Sequence, residues 1–127
     1  MRRYDFSTDW SAEAAPNTGE VASRQSVVTL TADDQVVTVG EKSYIPLSSD
    51  NATAANRTFV LTPGLTAGQR LTLEWTHATN QGELADDGSV SGGGNVRLSA
   101  AWSPGQYDTL SLIWNGTDWL ETARSNN

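Results

Sequence analysis

The chain is predicted to be an all-β domain, an antiparallel β-sandwich or jelly-roll-like barrel of about eight strands with an extended N-terminal arm. Three observations predict this. Short β-branched and apolar runs recur between turn signals at roughly 8- to 15-residue intervals. An Asn115-Gly116 pair separates two apolar runs near the C-terminus, the strongest short-range hairpin signal. The first 25 or so residues, rich in Ala, Ser, Pro, Gly and Glu after Trp10, lack the pattern of everything that follows.

The expected division is therefore an arm over residues 1–25 and a β domain over residues 26–127. In the arm, Ser11-Ala-Glu-Ala-Ala is compatible with a helical turn or two before Pro16. The β signal then begins. Ser26–Thr31 and Gln35–Val39 are β-branched runs joined by Ala32-Asp33-Asp34, the length of a short hairpin loop. Ser43–Ser48 carries Pro46 within the run, which places it at a sheet edge or a bulge. Polar Ser49–Asn56 reads as a loop. Arg57–Thr62 and Gln69–His77 flank a turn punctuated by Pro63, Gly64 and Gly68. Within the second run Leu71, Leu73 and Trp75 alternate with Arg70, Thr72, Glu74 and Thr76, so one face is buried and the other wet.

Residues 78–95 form a second polar region, whose Gly92-Gly-Gly94 reads as a loop tip and not as a phosphate cradle, since no strand and Gly-Lys-Ser sequel accompany it. Val96–Ala100 and the turn Trp102-Ser-Pro-Gly105 lead into the final hairpin. There Leu110, Leu112, Trp114, Trp119 and Glu121 fall on one face, and Ser111, Ile113, Asp118, Leu120 and Thr122 on the other. A two-residue loop sets Leu112 opposite Trp119; a four-residue loop sets Trp114 opposite Trp119.

Composition excludes several function classes. With 127 residues the chain is expected to be one domain, and with no cysteine it has neither disulfides nor thiolate metal sites. A formal charge of −7 and a pI near 4.4 argue against nucleic acid as a partner, because phosphate binding needs clustered Lys and Arg. No apolar run is long enough to cross a membrane, and the N-terminus lacks a signal-peptide core, so a cytoplasmic site of synthesis is expected. His77 is the single histidine, which leaves no second member for a His-based metal or nucleophilic site. Asp33-Asp34 and Asp86-Asp87-Gly88 lack the spacing of a Ca²⁺ loop and read as solvated turns. Three Asn-X-Thr sequences, at Asn51, Asn56 and Asn115, carry little meaning without a secretory signal. Neither an enzyme nor a cofactor is expected.

The run Leu110-Ser-Leu-Ile-Trp114-Asn-Gly-Thr-Asp-Trp119-Leu-Glu121-Thr-Ala-Arg124, ending in Ser125-Asn126-Asn127, resembles the terminal hairpin of small β domains in tailed-bacteriophage virion proteins. Arg57-Thr-Phe-Val-Leu-Thr-Pro-Gly-Leu-Thr-Ala-Gly-Gln-Arg-Leu-Thr-Leu73 is similar to an earlier strand pair of such domains. The resemblance covers roughly residues 26–127 and carries no catalytic residue. It implies a virion structural protein, with the outside of the capsid as its location, the major capsid protein as partner and a homotrimer as assembly. A head-fibre or tail-fibre tip domain is the alternative within the same resemblance. The arm supplies the attachment residues: Arg2 and Arg3 for carboxylates, Tyr4 and Phe6 two apart as on one face of a strand, and Trp10 as a buried anchor. A carbohydrate-binding β-sandwich is the rival class. It requires tryptophans outside the core, and Trp102 beside its Pro-Gly turn is the candidate for stacking on a glycan.

Overall fold

The structure, a computed structural model, describes residues 26–51, 57–86 and 95–127. The arm expected over residues 1–25 lies outside them. Nine strands and no helix are present among the described residues: β1 (Val28–Leu30), β2 (Gln35–Val37), β3 (Tyr44–Ser49), β4 (Arg57–Leu61), β5 (Arg70–Trp75), β6 (Gly82–Glu83), β7 (Asn95–Arg97), β8 (Thr109–Trp114) and β9 (Asp118–Ser125). They form a six-stranded sheet in the order β1-β3-β5-β8-β9-β7 and a three-stranded sheet in the order β2-β4-β6. The protein is all-β, as its sequence predicts.

Strand direction departs from the prediction. Only β5–β8 and β8–β9 are antiparallel; β1–β3, β3–β5, β2–β4, β4–β6 and β7–β9 are parallel. Parallel neighbours need a crossover between them, and for every parallel pair except β7–β9, which β8 of the same sheet connects, that crossover is a strand of the other sheet. The chain passes from β1 to β2, then from β3 to β4, then from β5 to β6. Three successive turns of chain are thus stacked in register. Ala32-Asp33-Asp34 is consequently a corner between sheets and not a hairpin loop, and so is the Pro63–Gly68 turn between β4 and β5. Asp34 takes a left-handed φ of 57° at the first corner. Its N–H donates to Thr58 Oγ1 and its carboxylate accepts from the same hydroxyl, each at 2.9 Å, tying that corner to the next turn of chain.

Stacking places like side chains above one another. Val28, Leu47 and Trp75 form one column of register partners, Ile45, Leu73 and Leu110 a second, and Leu71 and Leu112 a third. In the smaller sheet Val37 pairs with Leu61. These side chains, with Leu30, Val39, Phe59, Leu84, Val96, Trp102, Trp114 and Trp119, make one continuous core between the sheets. The dominant stabilising term is the removal of this apolar surface from water, at about 25 cal/mol per Å².

Pro46 lies in β3, which has a neighbour on each side and a regular register, where a sheet edge or a bulge was expected. The ladder between β1 and β3 begins at Val28 and Leu47, one residue past Pro46. The missing N–H therefore falls where β1 offers no partner, so the rule against proline in a ladder is obeyed locally.

The terminal hairpin forms with Trp114 opposite Trp119, the register of the four-residue loop. Gly116 alone in this loop has a positive φ, 102°, so the turn is not the two-residue type with both centres left-handed. Asn115 Oδ1 accepts from the N–H groups of Thr117 at 2.8 Å and Asp118 at 2.7 Å, which closes the longer loop. An irregularity at Ser111/Leu112 shifts the register further along β9 and carries Arg124 opposite Leu110.

Close backbone approach explains Gly82. A Cβ placed there would lie 2.3 Å from Trp75 Cη2 and 2.8 Å from Cζ3. Trp75 is fully buried and its Nε1–H donates to Asn80 O at 3.0 Å, so the indole has no room to yield. Gly82→Ala is expected to destabilise the domain by about 1–3 kcal/mol through overpacking. Chemical denaturation with an unchanged midpoint would contradict this packing.

Candidate functional site

Two polar clusters lie around the last residues of the chain, each tying them to an earlier segment.

Glu121 and Arg124 form the first. Arg124 Nε donates to Glu121 Oε2 at 2.7 Å and Nη2 donates to Oε1 at 2.9 Å, a two-point ion pair. Nη2 also donates to Ala100 O at 2.8 Å, and Glu121 Oε1 accepts from the Ser99 N–H at 2.8 Å and the Ser99 hydroxyl at 3.1 Å. The hairpin is thereby pinned to the segment that follows β7. The Arg124 guanidinium is the largest cause holding the Glu121 carboxyl down at about 2, and the Ser99 donors add to it; burial opposes both. The Arg124 guanidinium is pushed up in return, chiefly by its hydrogen bonds to Glu121. A carboxyl held below its unfolded value of 4.5 adds stability above pH 4.5, and loses it as the pH falls from 4.5 towards 2. Glu121→Gln is expected to cost about 1–3 kcal/mol at neutral pH. The gap between wild type and variant should close on acidification across that window. Urea midpoints measured from neutral pH down to pH 2 check this, and a gap independent of pH would refute it.

Asp108 is the centre of the second cluster. Its carboxylate is buried and accepts from the Gly105 N–H at 2.9 Å through Oδ2, and from the Asn127 N–H at 2.7 Å through Oδ1. Asn127 Nδ2 donates to Tyr107 O at 2.8 Å, and Ser125 Oγ donates to Asn127 Oδ1 at 3.2 Å. Residues 125–127 are in this way folded back onto the turn before β8. Tyr107 adopts a left-handed φ of 72°, held by its own N–H donating to Trp75 O at 2.7 Å, and the residue is 60% exposed. Between the clusters lies a cleft of about 270 Å³ lined by Ala101, Trp102, Ser103, Pro104, Asp108, Arg124, Ser125 and Asn126.

Comparison with protein-family models, with curated proteins and with solved structures finds no match for this chain. Function is therefore argued from the site.

The residues singled out from sequence are distributed as follows. Arg2, Arg3, Tyr4, Phe6 and Trp10 lie outside the described residues. Trp102 is 3% exposed, and its backbone is bridged to Leu84, the residue after β6. Burial removes the open ring face that stacking on a glycan requires, so the platform role expected of Trp102 is withdrawn; a Pro-Gly turn places its neighbours at the surface but turns the indole inward. Trp75, Trp114 and Trp119 are core, as their alternation with leucine predicts. His77 serves a turn, where Nδ1 accepts from the N–H groups of Thr79 at 3.1 Å and Asn80 at 3.0 Å. Asp33 and Asp50 both face Arg57, at 3.5 and 3.0 Å, and Asp86 accepts from the Leu98 N–H. Among the described residues no three His, Cys, Asp or Glu side chains group as metal ligands.

Asp108 and Asn127 were not legible as a pair, since 19 residues separate them and neither sits in a recognisable motif. Glu121 did give a signal. A carboxylate on the apolar face of a hairpin needs a partner.

Proposed function

We propose that the protein is a non-enzymatic structural component of a tailed-phage virion, a capsid decoration protein that binds the major capsid protein from outside through its N-terminal arm. The observation that carries this reading is the fate of the residues behind the resemblance. Trp114 and Trp119 close the core end to end, Glu121 and Arg124 pin the hairpin, and Asn127 locks the terminus onto Asp108. Each of these side chains is committed to holding a rigid β end, which suits a durable shell component better than a catalyst. The described residues also lack a pair of titratable groups poised as acid and base, because the carboxylates near the cleft are already hydrogen-bonded to backbone or to arginine.

For the fold, we favour a short parallel solenoid capped by an antiparallel hairpin over the sandwich or jelly-roll barrel, since the first three turns of chain stack strand on strand in both sheets. A homotrimer is part of the proposal, and light scattering that gives a monomer at micromolar concentration would remove it without touching the capsid assignment. The capsid assignment has its own test. Co-expressed with the major capsid protein from the same genome, the protein should sediment with assembled shells, and shells that pellet without it would sink the reading.

A further inference from the structure

We infer that the outer face of the six-stranded sheet is the surface on which one copy of this chain docks against the next, head to tail. It rests on the proposed homotrimer and gives that assembly its contact. Register sets four side chains in a row across four strands. Arg70 of β5 stands opposite Ile113 of β8, Ile113 opposite Leu120 of β9, and Leu120 opposite Arg97 of β7. Each is next in sequence to a buried core residue, so all four point away from the core. A half-buried apolar pair is thus bracketed by two exposed guanidinium groups. Three strand spacings, roughly 14 Å, separate the strands that carry them.

The two arginines differ from those that hold the fold. Arg57 is engaged by Asp33 and Asp50, and Arg124 by Glu121. Arg70 is exposed and makes no hydrogen bond or ion pair among the described residues. Arg97 lies 3.6 Å from Asp118, and its side chain is still 51% exposed. Two cations against one carboxylate leave the row net positive, on a chain whose formal charge is −7. Complementary potential then selects an acidic partner surface.

The chain carries such a surface at its other end. β1, β3 and β5 run parallel, so their starts share one end of the stack and their finishes the other. Arg70 opens β5, whereas Asp33 and Asp34 follow β1 and Asp50 follows β3. Asp33 and Asp50 share Arg57, at 3.5 and 3.0 Å, and their side chains are 66% and 43% exposed. Three carboxylates against one guanidinium leave this corner net negative. Val36, two residues past Asp34 and 39% exposed, offers an apolar companion for Ile113 and Leu120. Because the two surfaces differ, the contact is heterologous, and a heterologous contact that closes makes a ring.

Sedimentation velocity of the full-length protein is the test. At about 10 μM the wild type should run as a trimer in about 50 mM salt and dissociate in about 500 mM, where exposed charges are screened. Arg70→Glu and, separately, Asp33→Lys should each raise the apparent dissociation constant about tenfold or more, since each sets like charges face to face. Arg70→Glu combined with Asp33→Lys restores opposite charge and should recover most of that loss. Both positions are exposed, and circular dichroism spectra matching wild type certify that the variants are folded. A monomeric wild type removes the trimer and the inference together. A trimer indifferent to salt and to Arg70→Glu overturns the inference and leaves the trimer standing. A combined variant weaker than either single change overturns it too, as does a mass that grows with concentration beyond three copies. Each of these results leaves the capsid assignment to its own test.

Discussion

Trp119→Ala is expected to remove about 3–5 kcal/mol of stability. The indole is fully buried, and packs tilted against Trp114 with ring centroids 5.3 Å apart. Tilted aromatic pairs contribute about 0.5–1.5 kcal/mol beyond the area they bury. Its Nε1–H also donates to Thr62 O at 2.9 Å, across the core to the end of the smaller sheet. Truncation therefore opens a cavity, dissolves the aromatic pair and strands a carbonyl together. Domains of this size carry a total of about 5–15 kcal/mol, so the variant should be partly or wholly unfolded at 37 °C. Trp119→Phe separates the contributions, since it keeps most of the volume but cannot donate, and should cost about 1–3 kcal/mol. Urea unfolding followed by circular dichroism measures both. A Trp119→Ala midpoint within experimental scatter of wild type would mean that Trp119 does not join the two sheets.

The same hairpin shows what a sequence does and does not reveal. Its inward face was legible to the residue, because alternation over Leu110, Leu112, Trp114 and Trp119 has one burial solution. Its register was open between two loop lengths, and was settled by the Asn115 carboxamide, whose two hydrogen bonds close the longer loop. Strand direction was a different matter. Period-two alternation is identical in parallel and antiparallel sheets, and a three-residue polar connection such as Ala32-Asp33-Asp34 serves a hairpin or a corner equally well. What decides for the corner is the bond pair between Asp34 and Thr58, 24 residues apart. Trp102 failed for the opposite reason. Turn chemistry at Pro104-Gly105 fixes the backbone, while the direction of the preceding indole is set by the Leu84 bridge, which no local pattern announces.

On the proposed decoration role, deleting residues 1–10 is expected to abolish attachment to the capsid while leaving the β domain folded. The prediction rests on the sequence of the arm and on where the described strands begin. The first of them starts at Val28, so the deletion ends well before the first described ladder. Tyr4 and Phe6, two apart, suit one face of a strand added to the edge of a neighbour, where main-chain hydrogen bonds give affinity and pockets give register. Arg2 and Arg3 bring positive charge to a chain of net −7, and on the same proposal would steer the arm towards carboxylates on the partner. Trp10 belongs to the residue class that dominates interface energy, at about 2 kcal/mol or more per buried anchor. Loss of Trp10 together with Tyr4, Phe6 and the arginine pair would lower affinity by roughly a thousandfold or more. Capsid occupancy, measured by densitometry of gradient-purified particles, should fall to background for the truncated protein, and its urea midpoint should match that of the full chain. Equal occupancy would exclude the arm as the point of attachment. An unfolded truncated protein would instead place residues 1–10 within the core of the domain, and would move the attachment surface to the β domain itself.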